Sequence, residues 1–103
     1  MKWLEVIELR TVTRNREFVE SKLLTLTNEL EKAAKLHTIK SYQRVMVNTD
    51  FSIHLFHETA KVKDWGSELG QHIASALKEY GLVNHQIWIE THSKSNESSY
   101  ENL

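Results

Sequence analysis

The sequence predicts an α+β domain of the ferredoxin-like kind, βαββαβ, with two helices on one face of a four-stranded antiparallel sheet. Three observations predict it: four short runs rich in β-branched and aromatic residues, two longer runs with apolar residues at helical spacing, and an order that makes two β-α-β halves. At 103 residues the chain has room for one hydrophobic core and not two. One domain is therefore expected over residues 1–92, followed by a polar tail over 93–103.

Each element has its own signal. Residues 3–12, WLEVIELRTV, are too short for a typical helix and are β-rich, which predicts the first strand. From 15 to 36, Val19, Leu23, Leu26, Leu30 and Ala33 recur at helical spacing with Glu20, Lys22, Glu29, Glu31 and Lys32 between them. Thr13 or Asn15 can cap that helix, because a short side-chain oxygen accepts from a first-turn amide. Residues 38–47, TIKSYQRVMV, and 51–58, FSIHLFHE, both alternate, and Asn48-Thr49-Asp50 between them predicts the tip of a hairpin. A second helix is expected over about 65–80, with Leu69, Ile73, Ala76, Leu77 and Tyr80 on one face. Asp64 or Ser67 would cap it and Gly81 would supply a left-handed stop. VNHQIWIET, 83–91, is the last strand, and the Ser/Asn/Glu-rich tail is expected to be disordered.

Composition removes several functions. The 13 basic and 14 acidic residues are mixed along the chain, which argues against a nucleic-acid partner. There is no cysteine, so disulfides, thiolate nucleophiles and cysteine-ligated metals are excluded. The start, MKWLEV, carries a charge every few residues and no stretch approaches a membrane span, so no membrane partner and a cytoplasmic location are expected. No G-x-S-x-G nucleophile elbow occurs, and the glycines at 66, 70 and 81 form no phosphate-binding loop.

The fold order implies strands arranged 4-1-3-2, with one sheet face left without helices. Alternation sorts the strand residues into two sets. Ile7, Leu9, Ile39, Val45, Val47, Ile53, Leu55, Ile87 and Ile89 are aliphatic and belong under the helices. The other set mixes Val6, Glu8, Arg10, Tyr42, Arg44, Met46, His54, Phe56, Glu58, Trp88, Glu90 and His92. Its aromatics are costly to leave in water, and its charges are costly to bury unpaired. A covered face with a polar-lined cavity satisfies both constraints, and the covering element must come from another chain; a homodimer is the expected arrangement.

The opening strand WLEVIELR, the hairpin SYQRVMVNTDFSIHLFHET and the ending GLVNHQIWIE resemble, over residues 3–91, the dimeric α/β-barrel superfamily and its antibiotic biosynthesis monooxygenase-like domains. That resemblance implies two ferredoxin-like subunits packed sheet against sheet around cavities. Some members oxidise aromatic polyketides without a cofactor, some degrade haem, and others have no assigned activity. It implies here a cofactor-independent, monooxygenase-like enzyme acting on an aromatic or phenolic compound. The alternative is a non-catalytic ligand-binding or structural homodimer.

His54 is the expected catalytic residue, placed on a central strand of the helix-free face near Glu8, where a carboxylate can fix its tautomer or charge. Tyr42 and Arg44 point into the same space, where a guanidinium could hold a phenolate or carboxylate; the other reading of Arg44 is a salt bridge to Glu8, Glu58 or Glu90 across subunits. Phe56, Glu58, Trp88 and Glu90 complete the expected substrate-binding set. His54 and His57, three apart on a strand, face opposite sides and cannot chelate together. Glu90 and His92 with His54 would make a two-histidine, one-carboxylate set, but they lie on strands at opposite sides of the first strand, and neither metal nor cofactor is expected. Trp65 and His72 lack the spacing and the first-strand asparagine of the haem-degrading relatives, so Trp65 is expected in the core and His72 on the surface.

Overall fold

A computed structural model describes residues 1–33 and 38–94, with the backbone alone for 30–33. The elements run β1 (Lys2–Arg10), a 3-10 turn (Thr13–Asn15), α1 (Arg16–Ala33), β2 (Thr38–Gln43), β3 (Asp50–Glu58), α2 (Glu68–Leu77), a second 3-10 turn (Lys78–Tyr80) and β4 (Leu82–Ile89). All strand pairs are antiparallel, in the order β2-β3-β1-β4, which is the expected 4-1-3-2 read from the other edge. β1 sits in the middle because both β-α-β crossovers start or end beside it. It pairs Ile7 with Ile53 on one side and with His85 on the other.

Odd-numbered residues of β1 and β3 face the helices. Ile7, Leu9, Ile39, Phe51, Ile53 and Leu55 from the sheet, Val19 and Leu23 from α1, and Ile73, Ala74 and Leu77 from α2 form one buried cluster. Burying each large aliphatic side chain contributes roughly 1.5–3 kcal/mol, which makes the period-two pattern decisive for register. Among the described residues no helix is long and apolar enough to cross a membrane.

Four local expectations are corrected. β2 stops at Gln43, and residues 44–49 form the connection, held by Arg44 N donating to Asp50 O (2.9 Å) and Asp50 N donating to Val47 O (3.1 Å). Val45 and Met46 are therefore 84% and 98% exposed, so Val45 does not lie under a helix and Met46 does not lie on the sheet face. The alternation of Val45-Met46-Val47 is that of a strand, but β2 ends four residues before the expected 47, where Arg10 and Arg44 both bond the Asp50 side chain. Second, α2 begins at Glu68 and not near 65: of the two expected caps it is Ser67 that acts, its Oγ accepting from Gly70 N (2.9 Å).

Third, Trp65 is left ahead of the helix and is 85% exposed, outside the core. His72 is exposed, while Gly70 and Ala74, not Ala76, lie on the buried face. Fourth, Gly81 has φ 161°, an extended backbone and not a left-handed one. What position 81 requires is space, since a Cβ there would lie 2.0 Å from the carbonyl oxygen of Arg10. Residues 34–36 of the expected first helix and 95–103 of the expected tail fall outside the described residues.

Gly81→Ala must push α2's exit away from the end of β1. We expect a loss of about 1–3 kcal/mol, read as a lower urea midpoint with an unchanged slope.

Candidate functional site

The helix-free face can be read as rows across the sheet. Thr38, Phe56, Leu4 and Trp88 make one row, Lys40, His54, Val6 and Gln86 the next, and Tyr42, Ser52, Glu8 and Asn84 the third. Beyond the third row lie Arg44, Asp50, Arg10 and Leu82, and beyond the first lie Glu58, Lys2 and Glu90. Tyr42, Phe56, Leu82 and Trp88 are all exposed on this face.

Two hollows occupy it. One of about 560 Å³ spreads over Val6, Glu8, Tyr42, Ser52, His54 and Asn84, with Arg10, Arg44 and Asp50 at its rim. The other, about 540 Å³, lies at the opposite end and is lined by Leu4, Phe56, Glu58, Trp88 and Glu90. Thus the residues singled out in the sequence fall into two groups: Tyr42, Arg44 and His54 share the first hollow, whereas Phe56, Glu58, Trp88 and Glu90 share the second. Glu90 lies just past β4, tied to it by its N–H donating to Lys2 O (2.9 Å).

His54 is half-buried in the first hollow. Its Nε2 lies 3.2 Å from Ser52 Oγ and its ring packs against Tyr42, centroids 4.5 Å apart. Burial lowers its pKa below the ordinary imidazole value, against a smaller opposing pull from Glu8. At neutral pH the ring is therefore an uncharged imidazole, with one nitrogen able to accept a proton. Glu8 lies diagonally from it, directly opposite Ser52.

Arg44 finds its partner within the chain. Its Nη1 donates to Asp50 Oδ2 (3.1 Å), and Arg10 donates to the same carboxylate from Nε (3.1 Å) and Nη2 (3.2 Å). Hydrogen bonds from Arg10, with a further one from Arg44, hold the Asp50 carboxyl below the usual carboxylate range. Two guanidiniums share this one carboxylate, and Glu8, one row away on the same face, acts on Arg10 as a second negative charge.

The other notable cluster lies on the helix side and was not singled out in the sequence. Glu5 is completely buried, and its carboxylate accepts four hydrogen bonds. Oε1 accepts from Ser67 N (3.0 Å) and His85 Nε2 (2.9 Å), and Oε2 from Ser67 Oγ (2.6 Å) and His57 Nε2 (2.5 Å). Four donors fill the four acceptor positions of an ionised carboxylate and assign both imidazoles an Nε2–H. Gly66, at φ +89°, and Gly70 make the space: a Cβ on either would lie 2.3 Å or less from Glu5 Oε1. Trp3 stacks on His57 at 4.1 Å and donates from Nε1 to Thr59 Oγ1 (2.8 Å), so β1 also holds the start of the connection to α2.

The two Nε2 atoms of His57 and His85 are turned onto carboxylate oxygens, and Ser67 Oγ is engaged as donor and helix cap. This arrangement anchors structure; it offers no nucleophile and no open coordination position. Strand parity could have found it, since Glu5, His57 and His85 are polar residues at positions that alternate with core aliphatics. His57 does face away from His54, as the spacing of three requires.

Compared with family models, curated proteins and solved structures, the chain gives no match.

Two outcomes follow. Glu5→Ala removes the acceptor from four donors in a closed space and is expected to cost about 3–5 kcal/mol, measured by urea unfolding followed by far-UV circular dichroism. His54, followed by its Hε1 proton resonance, is expected to titrate below an unhindered histidine. Because the folded value is the depressed one, its contribution to stability is present above the unfolded value and lost as pH falls through the folded one.

Proposed function

We propose that this chain forms a homodimer through its helix-free sheet face and binds a small aromatic or phenolic molecule in a cavity enclosed there, with His54 as general base. The observation that carries this reading is the first hollow: a neutral, half-buried imidazole set between Ser52 and Tyr42, in about 560 Å³ of space, on a face that also exposes Phe56 and Trp88. An exposed apolar patch rimmed by charges is the usual mark of an interface, and convergent polar groups in a concave site are the usual mark of a ligand.

The chemistry follows from the protonation state. A neutral imidazole can take the proton of a phenol, leaving a phenolate beside an imidazolium, and a subunit covering the face would exclude water and strengthen that pairing. An electron-rich phenolate can react with dioxygen directly, which is the activity implied by the resemblance to antibiotic biosynthesis monooxygenase-like domains. Tyr42, beside His54 in the same hollow, would supply a flat surface for the aromatic ring, and Arg44 a cation at the rim.

One observation favours a second, non-catalytic reading. Arg10 and Arg44 are both spent on Asp50, so neither guanidinium is reserved for a ligand. In that case the face only joins subunits.

The two readings separate in a native mass spectrum of protein purified from its host without added ligand. We expect a dimer carrying a small aromatic molecule, and a His54→Ala dimer that has lost it. A His54→Ala protein of altered stability that keeps its ligand, or a wild-type dimer with none, would favour the structural reading.

A further inference from the structure

The two edges of the sheet are unlike. β2, at one edge, is six residues long and carries Lys40. A short strand and a lysine on it are common means of keeping an edge from pairing with another chain. β4, at the other edge, has neither. Its eight residues, LVNHQIWI, include no proline and no Lys, Arg, Asp or Glu.

Hydrogen-bond alternation decides which β4 groups are free. Glu90 N donates to Lys2 O (2.9 Å), so in this antiparallel ladder the even-numbered residues of β4 exchange bonds with β1. The N–H and C=O of Val83, His85, Ile87 and Ile89 therefore point out of the sheet edge, and among the described residues none of these groups has a partner. The same strand leaves Leu82, Trp88 and Ile89 exposed, the first two on the helix-free side and the third on the helix side. An uncharged strand with a row of unpaired donors and acceptors and apolar side chains on both faces is a template for a further strand.

We infer that β4 pairs antiparallel with β4 of a second copy, about a two-fold axis perpendicular to the sheet, which joins two four-stranded sheets into one. Each outward residue needs an outward residue opposite it. The register that engages all four sets Val83 against the partner's Ile89 and His85 against the partner's Ile87, each pair exchanging two backbone bonds. A shift of two residues in either direction leaves outward groups unpaired. The axis then passes beside Gln86, whose amide faces its own copy, and an amide both donates and accepts. The overlapping strands hold no formal charge, and Glu90, which follows β4, lies at opposite ends of the pair in the two copies. No like charges are brought together, which suits this edge to a second copy of itself. The edge is separate from the helix-free face, so the pairing does not depend on what covers that face.

The test places single cysteines in the cysteine-free chain. Across the axis the two residues at position 86 form a non-hydrogen-bonded pair with Cα atoms about 4.5 Å apart, inside disulfide range. Gln86→Cys is therefore expected to form a disulfide-linked dimer on mild oxidation. Asn84→Cys, on the same strand and face, lies more than about 13 Å from its mate in this register and is expected to stay unlinked. Sheets stacked face to face stand about 10 Å apart, beyond the reach of a disulfide, so the link reports edge pairing alone. Ile89→Pro removes an outward N–H that β1 does not use; added to Gln86→Cys, it is expected to cut cross-linking about tenfold with the far-UV circular dichroism unchanged. Equal linking through positions 84 and 86, or none through 86, would overturn the pairing. A wild-type chain that sediments as a monomer would overturn it as well and would leave this edge to a strand from a different protein.

Discussion

The Glu5 carboxylate is the constraint on which the rest of the structure depends. It is a charge without any contact with water, and burying such a group costs several kcal/mol unless every acceptor position is filled. The donors that fill them come from β3 (His57), β4 (His85) and the cap of α2 (Ser67), residues 52, 80 and 62 positions away in the chain. The cluster therefore joins three strands and one helix at a single point. Hydrophobic contact holds α2 on the sheet, but a charge-assisted network of fixed directions determines where the helix begins. Gly66 and Gly70 are part of the same constraint, because the carboxylate occupies the space their side chains would take.

Once α2 is fixed there and α1 is packed over β2, the odd-numbered side of the sheet is covered, and among the described residues no element covers the even-numbered side. That side differs in kind from the core. Its aliphatic content is Leu4, Val6 and Leu82, among rows that carry Phe56, Trp88, Tyr42, His54 and Glu8. A chain whose only task on this face was to stay in water would have less reason to keep four large apolar side chains exposed there.

The strands show where sequence reading works and where it stops. Parity placed His54, Tyr42, Phe56, Glu58 and Trp88 on one face and the aliphatic residues of β1 and β3 on the other, because the side-chain period of a strand is two whatever surrounds it. At the β2–β3 connection the same alternation continued through Val45-Met46-Val47 and misplaced all three, because the ladder is closed by side-chain bonds from Arg10 and Arg44 to Asp50. Arg44 was expected to reach another subunit or a ligand and instead bonds six residues along its own chain. Trp65 looked like a core residue by size, yet the Ser67 cap starts the helix after it.

The sequence by itself determined the class of fold, the strand order and the two sheet faces, because these follow from local periodicity and from chain connections with few alternatives. Only the tertiary structure decided the polar contacts. Glu5 could be read as a carboxylate on the core side of a strand, but not as the acceptor of four donors, because hydrogen bonds depend on atoms brought within about 3 Å from distant parts of the chain. Burial is a property of a pattern, while a hydrogen-bond network is a property of positions that exist only after the chain has folded.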